Sequence, residues 1–281
     1  MSGFLDDIVF LKIRIHTLML TNKNAVIYGA GGSLGGAVAQ ALAAAGAHVF
    51  VTGHHLASVQ KVADTIRAQG HAAEADVVDA LDESAVSNHL DKLTQRGERI
   101  DISFNAVGYE VVQNVPLVTL AVKDFVDPVT TAMRTHFITA TAAGKRMMKQ
   151  GSGVILTLTA TPGGIGYPFT GGFAPACSAI ESFSRNLAAE LGIYGIRVVN
   201  IRSGGSPDSR VFKQAIDTLP EEMKTVLGKM EDDTMLKKLP LMADIANVAV
   251  FLASEMAGKI TGVTVDVTSG TTAGLNYRTK K

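Results

Sequence analysis

The sequence predicts an α/β fold: a three-layer, doubly wound parallel sheet of seven strands with helices on both faces. From position 24 onward, short runs rich in Val, Ile and Leu alternate with amphipathic stretches of helical length. Continuous apolar strands separated by helices are those of parallel βαβ units, buried on both faces. A glycine cluster sits where the first run gives way to the first helix. No internal repeat or low-complexity tract interrupts the pattern.

The elements follow in order. "NAVIYGA" is a strand, and the alanine-rich "SLGGAVAQALAAAG" a helix stopped at Gly46. "HVFVTG" is the second strand, and "ASVQKVADTIRAQG" a helix closed by Gly70. "HAAEADV" is the third strand, before a helix over 82–96. "IDISFNAVG" is the fourth, before a long helix over 123–149 with an irregularity expected near Pro128. "GVILTLTA" is the fifth strand, and "GGFAPACSAIESFSRNLAAELG" a helix with a small-residue entry. "IRVVNIRSG" is the sixth. Residues 206–240 read as short helices and loops, an insertion that either lids a pocket or packs as a structural excursion. "ADIANVAVFLAS" is the last helix and "GVTVDVTSG" the seventh strand.

Composition narrows the function. Lys+Arg and Asp+Glu are 26 each, and no basic stripe appears, which argues against nucleic acid. The one cysteine, Cys177, excludes an intrachain disulfide and points to a reducing, cytoplasmic compartment. The opening "MSGFLDDIVFLKIRIHTL" is a poor membrane span, because Lys12 and Arg14 interrupt it, and Asp6 and Asp7 are wrong for a signal peptide. We read residues 1–18 as an N-terminal extension, with Met19 as a plausible start, and 19–281 as one nucleotide-binding domain. No metal-ligand spacing is present, and no Gly-x-Ser-x-Gly or Ser/His/Asp arrangement.

"YGAGGSLGG" follows a strand and opens a helix. Small residues there let backbone amides approach a pyrophosphate at a helix N-terminus, and the candidates are Gly29, Gly31, Ser33, Leu34 and Gly35. The second strand ends "VTGHH", with Gly53 where NAD sites carry an acid for the ribose hydroxyls. His54 follows and has hydrogen-bonding capacity for a 2′-phosphate. This favours NADP(H) over NAD(H), although His54 and His55 also read as solvated turn residues.

These motifs resemble those of the short-chain dehydrogenase/reductase family over residues 20–275. "YGAGGSLG" is similar to its TGxxxGxG turn, with Tyr28 and Ser33 substituted. "ADV", with Asp76 and Val77, is similar to its adenine-contacting pair. "NAVG" (Asn105, Ala106, Val107 and Gly108) is similar to NNAG, "GIRVVNIRSGG" to GIRVNxxxPG with Ser203 for the proline before Gly204, and "ITGVTVDVTSG" to the family's closing strand. The resemblance implies a Rossmann fold, a nicotinamide cofactor and a dimer or tetramer paired through the long fourth and fifth helices and the last strand.

The family's chemistry rests on Asn, Ser, Tyr and Lys. Gap-free registration puts Ala132, Ala160, Phe173 and Cys177 there. Tyr277 and Lys281 have the right spacing but lie after the last strand. A hydride added to a carbonyl leaves an alkoxide that needs a proton, and Phe173 has none. The candidate replacement donors are Tyr167, Thr159, Thr161, Tyr109 and His136. Each also has a structural reading: loop aromatic, strand formers, pocket wall and helix packing. Cys177 reads as a buried apolar residue rather than a nucleophile. Three functions stay open: an NADP(H)-dependent oxidoreductase with a rearranged donor, an inactive cofactor-binding sensor or partner subunit, and a non-redox enzyme. Met223, Leu227, Met230, Met235 and Leu236 in the insertion suggest a small-molecule substrate of apolar character.

Overall fold

The computed structural model describes residues 19–273. The extension over 1–18 and the Tyr277–Lys281 pair lie outside the described residues.

Seven parallel strands form one sheet: β1 (Asn24–Tyr28), β2 (His48–Gly53), β3 (Ala73–Val77), β4 (Ile102–Asn105), β5 (Gly153–Ala160), β6 (Ile196–Ser203) and β7 (Thr264–Val267). Their order is β3-β2-β1-β4-β5-β6-β7. The chain runs outward from β1 to β3, returns beside β1 as β4, and then runs outward the other way. The order reverses between β1 and β4, and a crevice opens at the carboxyl ends of the strands flanking such a reversal.

Eight α-helices connect the strands among the described residues: α1 (Ser33–Ala44), α2 (Leu56–Ala68), α3 (Glu83–Gln95), α4 (Val122–Gln150), α5 (Phe173–Leu191), α6 (Arg210–Thr218), α7 (Pro220–Asp232) and α8 (Met242–Ala253). Strand periodicity of two divides the core between the two faces. Ala25 and Ile27 of β1 pack with α1, α2 and α8, including Val38, Leu42, Ile66 and Leu252. Val26 and Tyr28 pack oppositely, with α3, α4 and α5, including Leu90, Ala143, Met147 and Leu187. β6 divides likewise, Val199 and Ile201 to one face and Ile196 and Val198 to the other. Each fully buried Val, Ile or Leu contributes about 1.5–3 kcal/mol by leaving water.

α4 runs unbroken through Pro128, where the sequence leads one to expect an irregularity. The proline removes one N–H donor within the helix. Gly172 packs closely there: a Cβ on it would lie 2.2 Å from the Phe125 carbonyl oxygen and 3.2 Å from Pro128 Cγ. The small-residue entry to α5 is therefore a packing requirement.

The stretch 206–240 carries α6 and α7, and neither helix buries a residue fully. Two backbone amides anchor its far end, Met235 and Leu236, both donating to the Ser269 carbonyl. At its near end the Arg210 amide donates to Ser33 Oγ at 3.0 Å. The insertion is thus tied at one end to the last strand's exit and at the other to the glycine turn. Among the described residues no helix is long and apolar enough to cross a membrane.

Candidate active site

The glycine turn explains itself by close approach. Gly29 has φ +73°, and a Cβ there would sit 2.6 Å from the Ala106 carbonyl oxygen. A Cβ on Gly35 would sit 2.5 Å from the Gly29 oxygen. Side chains are excluded because the turn, the end of β4 and the start of α1 share one small space. No side chain caps α1 at Gly32, so its N-terminal amides and dipole are left for an anion. The cradle and the uncapped terminus fit a dinucleotide's pyrophosphate. Gly29→Ala should cost about 1–3 kcal/mol from the strained φ alone, with the backbone clash adding to it; urea denaturation measures the loss.

Around the turn stand the other sequence candidates for the nucleotide. His54 Nε2 lies 3.2 Å from Asp79 Oδ1. Asp79 follows β3 in the chain, and sequence reasoning missed it because only the β2–β3 pairing brings it to the end of β2. The hydrogen bond from His89 Nε2, 3.3 Å from Asp76 Oδ2, holds the Asp76 carboxyl below its ordinary range. Val77 is exposed beside it. Asn105 Nδ2 donates to Thr139 Oγ1 at 3.0 Å, while Asn105 Oδ1 accepts from the Val107 amide at 2.9 Å. That pair turns the chain out of β4. A Cβ on Gly204 would meet Pro240 Cγ at 2.8 Å.

At the carboxyl ends of β4, β5 and β6 lies a cleft of about 220 Å³. Its wall comprises Asn105 to Tyr109 from the β4 exit, His136 from α4, Leu158 to Ala160 from β5, Phe173 and Cys177 from α5, and Ser203 from β6. Ala160, Phe173 and Cys177 therefore line the same cleft. Ala132 lies behind, fully buried in a small cluster with Ala176 and Ile180, against which Tyr109 packs.

The five candidate donors separate on geometry. Tyr109 stands in the wall, its ring centroid 6.0 Å from that of Phe173. Its phenol neighbours the Cys177 side chain. Burial, reinforced by the neighbouring Cys177, raises the phenol well above its ordinary value, so it is a neutral O–H donor across the working pH range. Burial likewise pushes the Cys177 thiol up to about 11, which leaves no thiolate for nucleophilic attack near neutral pH.

His136 is also in the wall, but it is the wrong kind of group for a proton donor. Burial lowers its pKa to about 4. Its Nδ1 lies 2.9 Å from the Ala132 carbonyl oxygen, and a carbonyl only accepts, so Nδ1 carries the hydrogen of the neutral ring. Thr159 lines the cleft, yet its hydroxyl donates to Glu181 Oε1 at 3.0 Å. Thr161 is buried outside the wall, with Oγ1 3.4 Å from the Ser203 carbonyl. Tyr167 is solvent-exposed and outside the wall. Ser203 donates its hydroxyl to the Thr159 carbonyl at 3.1 Å.

Beneath the wall is a charged group that sequence reading did not find. Glu181, one turn past Cys177 on α5, is 5% exposed. Arg202 grips it with two bonds, Nε to Oε1 at 2.9 Å and Nη2 to Oε2 at 2.7 Å, and extends Nη1 to Asp266 Oδ2 at 2.7 Å. One cation meets two carboxylates, so the cluster supplies no net positive charge to the phenol above it. The available signal was an acid at an otherwise apolar position of α5.

A parallel sheet with reversed strand order, a side-chain-free turn at an uncapped helix and a walled cleft beside it define a class: nucleotide-binding enzymes of the doubly wound α/β type. Comparison with known proteins fixes the family. Residues 29–272 match the Enoyl-(Acyl carrier protein) reductase family model. The chain is 31% identical to 2,3-dihydro-2,3-dihydroxybenzoate dehydrogenase of Bacillus subtilis, over 91% of this chain and 98% of that protein. It is 30% identical to levodione reductase of Leifsonia aquatica, over 92% and 97%. A crystal structure of levodione reductase superposes with a TM-score of 0.83 at 27% identity, covering 91% of this chain and 100% of that one. The protein belongs to the short-chain dehydrogenase/reductase family and is an oxidoreductase of that type.

Proposed function

We propose that the protein reduces a carbonyl on a small, partly apolar molecule with hydride from NADP(H), and that Tyr109 replaces the family's usual proton donor. The observation that carries this reading is a half-buried phenol standing in the cleft beside Ala160, Phe173 and Cys177. Those three residues and Ala132 occupy the four catalytic positions in the gap-free register, and none of them carries the proton the chemistry needs.

The division of labour follows from the geometry. The turn at Gly29, Gly31, Ser33, Leu34 and Gly35 would hold the pyrophosphate on the α1 amides. Asp76 and Val77 would border the adenine, and Asn105 to Gly108 with Ser203 and Gly204 would shape the nicotinamide end. The cofactor supplies the hydride. Tyr109 donates its O–H to the carbonyl oxygen and transfers the proton as negative charge develops there. Gly53 at the end of β2 carries no acid for the ribose hydroxyls, and His54, if it exchanges its contact with Asp79 for a 2′-phosphate, favours NADP(H) over NAD(H).

Residues 206–240 would close over the substrate as a lid. Two relatives named as acting on small molecules support a substrate of that kind. Self-association is assigned to the α4–α5 side, where Val122, Val126 and Phe137 are exposed. The lone cysteine supports a cytoplasmic location.

Fluorescence titration with NADPH and NADH, followed by NADPH oxidation across ketones, aldehydes and enones, tests the reading. NADPH should bind more tightly than NADH, and at least one carbonyl class should be consumed. Tight binding without turnover would leave a sensor or partner subunit in its place.

A further inference from the structure

The polar side chains of the cleft wall are committed, with one exception. Asn105 is held by Thr139 and Val107, Thr159 by Glu181 and Ser203 by the Thr159 carbonyl, while Tyr109 is the donor already assigned. His136 Nε2 is buried and has no partner among the described residues. His136 as a residue is 2% exposed. Buried polar atoms without partners are rare, and each one calls for an explanation.

The ring's tautomer gives that atom a definite character. Nδ1, 2.9 Å from the Ala132 carbonyl oxygen, is the donor of that bond. The neutral imidazole then has a lone pair and no hydrogen at Nε2. Nδ1 is turned to the residue's own helix, so the opposite edge of the ring faces away from it. His136 and Tyr109 line the same cleft of only about 220 Å³. A substrate carbonyl reached by Tyr109 therefore leaves its neighbouring atoms within the same small space as His136.

We propose that His136 Nε2 accepts a hydrogen bond from a hydroxyl that the substrate carries beside its reacting carbonyl, so that the cleft selects hydroxy ketones and hydroxy aldehydes over their deoxy counterparts. This rests on the carbonyl-reductase reading above and names the substrate class for it. A site built to bind a hydroxyl discriminates strongly against an analogue lacking one, because the site's own polar group is then stranded.

Matched pairs differing only in hydroxyl against methyl provide the test: 2-hydroxyacetophenone against propiophenone, and 1-hydroxy-2-butanone against 3-pentanone. With the full chain and NADPH, kcat/KM should favour the hydroxylated member by roughly 10- to 100-fold. His136→Val should bring that ratio close to one, and His136→Gln, which restores an acceptor, should recover part of it. NADPH affinity should be the same in all three proteins. A fall in NADPH affinity would move the donor to the cofactor and overturn the assignment to substrate.

Nitrogen-15 NMR of the wild-type imidazole gives a readout independent of turnover and of the variants' folding. Nε2 should resonate as an unprotonated nitrogen and shift on addition of the hydroxy ketones but not of their isosteres. If no carbonyl is reduced, the reductase reading fails, while the Nε2 response still decides this one. A protonated Nε2, an Nε2 bonded only to water, or equal response to both members of a pair overturns it.

Discussion

Tyr109→Phe is expected to lower kcat for carbonyl reduction by about 10²- to 10⁴-fold, the range that a positioned general acid contributes. NADPH affinity should be unchanged. The substitution keeps the ring beside Phe173 and removes only the O–H, so packing should survive. The same phenol predicts the shape of the pH profile. Tyr109 is raised above its ordinary value, the Cys177 thiol titrates near 11, and His136 near 4. None of the three changes charge between about pH 6 and pH 9, so reduction should be flat across that interval. Alcohol oxidation is different. It needs the phenolate as proton acceptor, and burial beside a thiol disfavours that anion. Oxidation should therefore be slow at neutral pH and climb as the solution becomes alkaline. Stopped-flow traces of NADPH consumption and NADP⁺ reduction, taken over that range, check both limbs. An undiminished rate in the phenylalanine variant would remove Tyr109 from the mechanism.

Arg202→Met should cost about 3–5 kcal/mol of folding stability. Glu181 is 5% exposed and receives both of its strong bonds from this one guanidinium. Without Arg202 a carboxylate is stranded inside the protein with only the Thr159 hydroxyl for company. The remedy also follows from the geometry. Pairing Arg202→Met with Glu181→Leu removes both charges and should recover most of the loss, because a buried ion pair is worth little more than well-packed apolar groups. Urea denaturation of the two single variants and the double variant closes the cycle. Additive losses in the double variant would mean that the two residues do not act as a pair.

The sheet was legible because its strands are apolar runs that no helix pattern imitates. Their ends were less so. "IDISFNAVG" reads as strand throughout, yet β4 stops at Asn105. Ala106 and Val107 look like strand residues, but the Asn105 side chain captures the Val107 amide and turns the chain into the cleft. Ala160, Phe173 and Cys177 line one cleft because β5 and α5 follow one another in the chain and meet at the same end of the sheet. The choice among five donors was not legible. Tyr109 and Tyr167 are equally plausible as loop phenols in one dimension, and only folding turns one inward and leaves the other in solvent. The Glu181–Arg202–Asp266 cluster was invisible for a related reason. Its members come from α5, β6 and the end of β7, and their sequence neighbours do not announce them.

The bond from the Arg210 amide to Ser33 Oγ ties the 206–240 insertion to the glycine turn. The Ser33 hydroxyl accepts from that amide and keeps its own hydrogen, so a phosphate oxygen at the α1 terminus would accept from the same side chain without displacing the amide. A bound anion would then add to the tether and not break it, and Ser33→Ala would release the insertion from the turn at a single atom.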